Sequence, residues 1–437
     1  MPDMQSAATV ADTEPRTPPS VSGRIHDGDV FPVESIVLLM FAGTLKAAPQ
    51  LDGFRFESID LEIDLTALAV GLVSMAIMGR CLTTRGALPL PYGAIALAAA
   101  FVPGFVVGAA NPYTSKAQLG VVISGIAAVG AFWLLRTPAR RKLWLWLLVV
   151  SGVVVALLLE PDVSGVETVA GRGSTISASQ ALGVAVVVIL TLVMHGTLAT
   201  KPRLVAALAL TTFLVMGLIA TGSRGPVAGA GVALVLSAIM LRRPGRLKRS
   251  LVVGGLLTIG WFVLVALTNP GAERLRMALS GQIDNTESRD VVWRRALEAI
   301  PLHPEGVGWG NFWSVLDVGE ALDSGYEQHA HNIILEAFVE GGWIAGVAMI
   351  VLIATALLRL RSTAQRGPYE AAVFSVAVFF VVCAMFSGSM GNDRATFAAL
   401  AVGFAVQRNG GDKRDDVGHS GDRDATSGTA GRAYRAD

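Results

Sequence analysis

The sequence predicts an all-α, polytopic integral membrane protein. Of its 437 residues, 52% are hydrophobic and only 16% are charged, and the mean hydropathy is +0.56. Soluble domains carry about 25% charged residues, so a soluble globule of this composition would expose large apolar patches to water. A net charge of +1 gives no strong positive potential to attract the phosphate backbone of a nucleic acid, which argues against a nucleic-acid-binding function.

Long apolar runs recur along the chain and predict about twelve transmembrane helices. A bilayer core takes about 20 apolar residues per helix, and closed backbone hydrogen bonding in lipid requires the spans to be helical. In chain order the predicted spans are 31–47, 65–79, 92–110, 118–135, 143–159, 179–199, 204–220, 226–241, 250–268, 333–358, 371–388 and 393–407.

Charges in the connectors predict the orientation of these spans. Alternate connectors are basic, among them Arg136–Lys142 and Arg242–Arg249, whereas Asp52–Asp64 and Glu160–Glu167 carry most of the acids. Positive charge stays cytoplasmic, so we expect a multi-pass protein of the cytoplasmic (inner) membrane with both termini inside. The predicted domains are a disordered cytoplasmic tail without a signal peptide (1–29), a transmembrane domain (30–407) that includes an extracytoplasmic loop (269–332), and a second disordered cytoplasmic tail (408–437).

The connector Thr221–Gly225 lies on the outer side in this topology and contains Arg224. An arginine at the end of an apolar helix is a functional candidate by default, although an arginine that snorkels to the interface is an equal alternative. Ser223, beside the start of the next helix, offers an amide and a hydroxyl to an anion. Gly225 permits a sharp turn, and Pro226 suits the first helical position.

The outer loop contains a second candidate arginine. Ser288 is a plausible N-cap for a helix that runs from Arg289 to Ile300 and ends at Pro301. Helical spacing places Arg289 on one face with Trp293, Ala296, Leu297 and Ile300. A buried Arg289 beside an aromatic side chain suggests an anion site, and a salt bridge at the rim is the alternative.

A glycine-rich segment follows this helix, Glu305-Gly306-Val307-Gly308-Trp309-Gly310-Asn311-Phe312. Glycines at every second position permit close backbone approach and expose amides. A dinucleotide-binding loop would need a preceding strand and a different glycine spacing. The segment therefore favours a re-entrant or tight packing turn.

The loop ends in Glu327-Gln328-His329-Ala330-His331-Asn332, directly before an apolar helix. His331 can act there as a base, a hydrogen-bond donor or a pH sensor, or it can be an interfacial cap. An extended chain would place Glu327, His329 and His331 on one side, but a metal site is the weaker hypothesis because no HExxH motif or carboxylate cluster supports it. His329 and Asn332 are candidates to orient His331.

Together these elements suggest phosphate-linked transfer on the outer face. Guanidinium groups hold phosphate bidentately, and histidine can take a proton from an attacking hydroxyl. Arg394, in the short outer turn 387–394, is a further candidate phosphate contact, with helix anchoring as its alternative.

In this order the motifs resemble the O-antigen ligase and Wzy-type polymerase superfamily of bacterial glycan assembly. The resemblance covers roughly residues 220–350 and also includes His331-Asn332-Ile333-Ile334-Leu335 and Glu340-Gly341-Gly342-Trp343. It implies a GT-C-like helical fold and a glycosyltransferase that moves a glycan from an undecaprenyl-pyrophosphate donor to an acceptor hydroxyl on a glycan, lipid or protein.

The same resemblance implies the roles of individual residues. Arginines such as Arg224 and Arg289 would engage the donor pyrophosphate, and His331 would be the general base. Transfer would be inverting and metal-independent, without a cofactor. Ser223, Trp293, His329, Asn332 and Arg394 are the expected substrate-binding residues.

The alternative function is that of a transporter or flippase for polysaccharide or lipid. A transporter predicts charged residues near the middle of several spans. The spans carry few such residues, and the charge is concentrated at one face, which favours surface chemistry.

Overall fold

The computed structural model describes residues 33–45, 65–83, 92–107, 112–161, 167–169, 175–198, 200–240, 285–315 and 330–406. These residues belong to one compact unit that begins at Pro32, and a separate unit, Met1–Phe31, lies outside the described residues. The two predicted tails and the predicted span 250–268 also lie outside them.

Almost all of the described chain is helical. The helices are α1 (Glu34–Leu45), α2 (Leu65–Thr83), α3 (Tyr92–Phe101), α4 (Pro103–Val106), α5 (Pro112–Leu134), α6 (Pro138–Leu157), α7 (Thr175–Met194), α8 (Lys201–Ala220), α9 (Arg224–Ile239), α10 (Asn285–Ala299), α11 (Ile333–Ala364), α12 (Pro368–Ser387) and α13 (Arg394–Ala405), with a 3₁₀ turn at Phe312–Val315. Two short strands, β1 (Leu159–Pro161) and β2 (Glu167–Val169), pair antiparallel between α6 and α7.

Every predicted span within the described residues coincides with a helix. The span 92–110 is interrupted, because Pro103 opens α4 and cannot donate the hydrogen bond that would continue α3. By length and composition, five described helices can cross a membrane (α5, α7, α8, α11 and α12), and shorter apolar helices lie in α2, α3 with α4, α9 and α13. The structure therefore supports a helical membrane protein, whereas the number twelve is not confirmed.

Helices α7 and α12 form the centre of the bundle. Most of each is buried, whereas α8 is largely exposed. Helix α7 contacts α6, α8, α9 and α12, and α12 in turn contacts α9 and α11. The side chains of Phe379 and Phe380 on α12 are fully buried and lie edge to face. Aromatic side chains therefore pack in the interior of the bundle.

The basic connector 136–142, which was predicted to be cytoplasmic, contacts neighbouring side chains. Arg141 is buried, donates to the carbonyl of Arg136 at 2.8 Å and lies 3.7 Å from the carboxylate of Glu370. Lys142 lies over the ring of Tyr369, 5.1 Å from its centroid. Such contacts hold cations beside apolar helix ends, where membrane proteins place their interfacial residues.

Candidate functional site

Helix α11 begins with an unusual backbone at His331. His331 has φ 51°, and it is the one non-glycine residue with positive φ in the described part of the chain. A left-handed conformation costs an L-residue roughly 1–2 kcal/mol, and such strain clusters at functional sites. The side chain of His331 is half-buried.

The cap of α11 is Asn332. Its Oδ1 accepts from the N–H groups of Ile334 and Leu335 at 3.0 and 3.2 Å. Because Asn332 is the N-cap of α11, His331 is not, and the interpretation of His331 as a cap is wrong. His329 and Glu327, which completed the alternative metal site, lie outside the described residues.

Helix α10 starts earlier than the sequence predicts. The expected helix began at Arg289 after an N-cap at Ser288, whereas the observed helix begins at Asn285 and contains Ser288. The sequence from Asn285 to Ser288 offers asparagine, threonine and serine, all of them favoured cap residues, so the local pattern does not determine where the helix starts. Arg289 lies in the second turn, and its side chain is outside the described set.

The inward face of α10 is centred on Ala296. Ala296 is buried and Trp293 and Ile300 are partly buried, as the helical stripe predicts, but Leu297 is 59% exposed. A face centred on Ala296 continues through Val292 and Ile300 and leaves Leu297 at its edge, which is why that prediction is wrong.

Trp293 ties α10 to the residue that precedes His331. Its indole Nε1 donates to the carbonyl of Ala330 at 2.8 Å, across 37 residues of chain. Ala330 belongs to a small hydrophobic core that it forms with Ala296, Phe312 and Val339. Trp293 thus has a structural partner, and its predicted contact with substrate stays a prediction.

The glycine-rich segment is a packing turn. Gly306, Gly308 and Gly310 all have positive φ, and the N–H of Gly308 donates to the carbonyl of Glu340 at 2.8 Å. The turn meets α11 where Gly342, with φ 74°, interrupts its helical backbone. This confirms the tight packing turn. A Cβ on Gly306 or on Gly342 would collide with the opposite backbone, which explains these two glycines.

Trp309 anchors the same turn to the break between α3 and α4. Its backbone N–H donates to the carbonyl of Gly104 at 2.9 Å, and its indole Nε1 donates to the carbonyl of Phe101 at 2.8 Å. The side chain is fully buried. The described segment 285–315 is therefore attached to two separate parts of the helix bundle.

Three buried carboxyl groups at this end of the fold were missed by the sequence analysis. Glu336 and Glu340 lie on one face of α11, and Asp393 precedes α13; they are 3%, 2% and 4% exposed. Glu336 is close enough to both of the others for their charges to interact. Two glutamates four residues apart inside an apolar run were the available signal.

The turn 388–393 connects α12 to α13 and leads directly to Arg394. Its Met390 N–H donates to Oε1 of Glu336 at 3.0 Å, and its Met390 carbonyl accepts from Oγ of Ser124 at 3.3 Å. Arg394, the first residue of α13, is half-buried. Burial raises the pKa of Asp393 to about 7, against hydrogen bonds from Thr396, Ser389 and Gln180 that lower it.

The start of α9 differs in detail from the prediction. Ser223 occupies the N-cap position, but its side chain makes no capping bond, and the helix begins at Arg224. Pro226 is therefore the third helical residue, and the glycine with positive φ in this turn is Gly222 rather than Gly225. Both expectations failed because the helix includes Arg224. Arg224 itself is exposed.

Contacts along α7 place the start of α9 at the same end of the bundle as the turn 388–393. A Cβ on Gly183 would lie 3.6 Å from Pro226, and Gln180, one turn nearer the start of α7, hydrogen-bonds Asp393. Since Glu336 joins this turn to α11, the first turns of α9 and α11 share one end of the fold.

An apolar groove of about 620 Å³ lies between α3 and α11. It begins at Trp343, whose indole N–H donates to the carbonyl of Ile300, and its lining also includes Ile95, Ile344, Val347 and Val351. No lining residue can ionise, so the groove suits a hydrocarbon chain rather than acid–base or phosphate chemistry.

Comparison with known proteins bears on the second half of the chain. The sequence profile of the O-antigen ligase family matches residues 207–350. Over this region the chain resembles O-antigen ligases. This confirms the predicted resemblance to O-antigen ligases and Wzy-type polymerases. The matched region contains Arg224, Arg289 and His331, as well as the two buried glutamates of α11.

One relative adds to this match. A segment of 165 residues is 28% identical to the exopolysaccharide production protein ExoQ of Rhizobium meliloti (strain 1021). The segment covers 35% of this chain and 37% of ExoQ, so the similarity spans little more than a third of either protein. The chain is therefore similar to O-antigen ligases over residues 207–350, and it contains apolar helices long enough to cross a membrane.

Proposed function

We propose that this protein is a glycosyltransferase of the cytoplasmic membrane that transfers a glycan from an undecaprenyl-pyrophosphate donor to an acceptor hydroxyl on the outer face. The observation that carries the proposal is the O-antigen ligase match over 207–350, which contains all three candidate catalytic residues. The shared end of α9 and α11 supports it, because those helices begin at or beside Arg224 and His331.

In the proposed reaction the acceptor oxygen attacks the anomeric carbon of the donor glycan. The imidazole of His331 takes the proton from the acceptor hydroxyl, while the bond between the anomeric carbon and the pyrophosphate oxygen breaks. The pyrophosphate leaves with the electron pair, and attack from the opposite face inverts the configuration.

Negative charge grows on the departing pyrophosphate, and the arginines would neutralise it. Arg224 and Arg289 are the main candidates, with Arg394 as a further phosphate contact. Pre-placed cations aimed at developing charge supply much of the rate acceleration in such reactions, and two of them would make a metal unnecessary. Ser223, Trp293 and Asn332 would complete the substrate site.

The acceptor distinguishes a ligase from a polymerase. A polymerase uses another lipid-linked glycan, whereas a ligase uses a distinct lipid, cell-wall or protein acceptor. Glycan length in a deletion strain separates them. Single repeat units without polymer indicate a polymerase, and polymer of normal length that stays unattached indicates a ligase.

Transfer by the purified protein tests the proposed site. Arg224→Ala and His331→Ala should each lower the rate by at least about a hundredfold, since general base and charge stabilisation contribute on that order. His331→Asn provides a second variant, because asparagine tolerates the left-handed backbone better than alanine. The readout is glycan transferred per mole of folded protein.

Arg295→Ala is the matched control. Arg295 lies on α10, is exposed, and pairs only with Glu298 in the next turn at 3.3 Å among the described residues. Removal of an exposed pair changes little, so transfer should stay within about twofold of the unmodified protein. Full transfer by His331→Asn and His331→Ala would remove His331 from the mechanism.

A further inference from the structure

Glu336 holds a distant segment of the chain against the start of α11. Its Oε1 accepts the N–H of Met390 at 3.0 Å, and the two residues are 54 positions apart in the sequence. The glutamate lies in the first turn of α11, where a negative group is favoured by the helix dipole. One side chain thus connects the helix that follows His331 to the turn that precedes Arg394.

The turn itself is short and internally bonded. The N–H groups of Asn392 and Asp393 both donate to the carbonyl of Ser389, at 3.1 and 3.0 Å. Ser124 on α5 holds the Met390 carbonyl at 3.3 Å. With its amide held by Glu336 and its carbonyl by Ser124, Met390 fixes the turn at two atoms.

Burial of this carboxyl group is costly. Glu336 is 3% exposed, and its Oε2 is buried without a hydrogen-bond partner among the described residues. Its nearest acidic neighbours, Glu340 and Asp393, add repulsion whenever they are ionised. Burial of a polar oxygen without a partner is unfavourable, so stability alone does not account for a glutamate here.

We propose that Glu336 is a positioning residue for the transfer reaction: through the Met390 amide it sets the place of Arg394 relative to His331, and so the binding of the donor pyrophosphate. This inference rests on the proposed function. Glu336 acts through the turn and does not touch the substrate. Glu340 does the same for the outer loop, since its Oε1 accepts the N–H of Phe312 at 2.9 Å.

The first experiment compares Glu336→Gln with Glu336→Leu. Glutamine keeps an oxygen that can accept the Met390 N–H, so KM for the lipid-pyrophosphate donor should stay within about twofold. Leucine keeps the volume and loses the acceptor, so KM should rise about tenfold, with a smaller change in kcat. Equal loss in both variants would show that the carboxyl group itself is needed, and would overturn the proposal.

A double-mutant cycle with Arg394→Ala separates positioning from general destabilisation. If Glu336 acts by placing Arg394, Glu336→Leu should raise KM little further once Arg394 is alanine, because coupled residues are not additive. Two independent, additive losses would contradict the proposal. Should the leucine variant fail to fold, Ser124→Ala loosens the same turn and should raise KM about threefold, again without effect beside Arg394→Ala.

Hydrogen exchange provides a readout that does not need the reaction. The Met390 amide should exchange at least about tenfold faster in Glu336→Leu and at the native rate in Glu336→Gln. Ser375→Ala is the matched control, since Ser375 is buried on α12 and, among the described residues, bonds only within its own helix, to the Ala371 carbonyl. Altered exchange in a protein that transfers no glycan would refute the proposed function alone; unaltered exchange in the leucine variant would refute the role of Glu336.

Discussion

Asp393 shows at the scale of one residue how the fold changes the chemistry of a side chain. Its carboxyl group is 4% exposed and accepts from Thr396 Oγ1 at 3.5 Å, while Oδ2 has no hydrogen-bond partner in the described ranges. Burial raises the pKa of Asp393 from its usual 3.8 to about 7. The folded protein therefore holds this proton more tightly than the unfolded chain does.

The first prediction concerns stability against pH. For an acid whose pKa is raised by folding, stability is fully present below about 3.8 and is lost as pH rises through about 7. Asp393→Asn should therefore reduce the fall in melting temperature between pH 4 and pH 8. A pKa that differs by one between the folded and unfolded states corresponds to about 1.4 kcal/mol of stability. Thermal unfolding in detergent measures this effect.

Comparison of Asp393→Asn with the unmodified protein isolates the titration of Asp393 from that of the neighbouring groups. Glu336 on α11, Cys383 on α12 and Gln180 on α7 face Asp393 and stay unchanged in the variant, as does the neighbouring Arg394. An asparagine variant with the same pH dependence as the unmodified protein would show that Asp393 does not keep its proton at neutral pH.

At the scale of elements, the glycine turn and the break in α11 form one joint. The N–H of Trp343 donates to the carbonyl of Pro304 at 2.9 Å, and the N–H of Val307 donates to that of Val339 at 3.0 Å. These bonds satisfy backbone groups that the interruption of α11 at Gly342 would otherwise leave without partners. The joint holds the segment 285–315, which includes α10, against the helix that begins beside His331.

The second prediction tests this joint. In Gly342→Ala, the new Cβ would lie 2.6 Å from the carbonyl oxygen of Pro304 and would require φ 74° from an alanine. We expect a loss of stability of about 2 kcal/mol or more, with a parallel loss of transfer, because the loop cannot dock. Thermal unfolding and transfer are measured together.

Gly231→Ala is the control for that substitution. Gly231 lies in α9, and nothing is within 4 Å of a Cβ built there. Alanine in a helix interior is more stable than glycine by up to about 1 kcal/mol, so this variant should be as stable as the unmodified protein or slightly more so. If Gly342→Ala and Gly231→Ala had the same thermal stability and the same rate of transfer, the proposed role of the joint would be wrong.

For the whole molecule, the central question is which end of the bundle faces outward. The proposed site, with His331, Arg394 and the start of α9, lies at one end. Arg141 and Lys142 belong to the predicted cytoplasmic connectors. Because lysine and arginine concentrate in cytoplasmic loops, we expect the site to face the extracytoplasmic side.

The third prediction is a labelling pattern in a variant without the native Cys81 and Cys383. Leu302→Cys, at a position that is 73% exposed in the outer loop, should react with a membrane-impermeant maleimide in intact cells. Ala139→Cys, exposed at the start of α6, should react only after permeabilisation. The reverse pattern would place the site in the cytoplasm and contradict transfer from an outward-facing lipid donor.

Local signals account for much of what could be predicted. Apolar runs of membrane length are recognised from the sequence alone, and every predicted span within the described residues contains a helix, although Pro103 divides the span 92–110 into two. The glycine turn was also predictable, since alternate glycines indicate close backbone approach. Helix starts were less accurate, as α9 and α10 show, because neighbouring residues compete for the cap.

Local sequence patterns did not predict the long-range contacts. Glu336 with Met390, Glu340 with Phe312, and Trp293 with Ala330 join residues that are 28 to 54 positions apart. Nothing in the local pattern at Glu336 indicates that its partner is a backbone amide after α12. Likewise, helical spacing predicted the stripe around Ala296 but not that Leu297 would lie at its edge.

Hydrophobic length, charge bias and ordered motifs are local properties of the chain, and they were sufficient to predict the class of the protein, its apolar helices and the family resemblance. Three other features are visible only in the folded chain: Glu336 and Glu340 are buried near Asp393, Asn332 rather than His331 caps α11, and the glycine turn packs against the break in that helix. These features depend on which distant backbone groups are brought within hydrogen-bond distance, and packing of the whole bundle sets that.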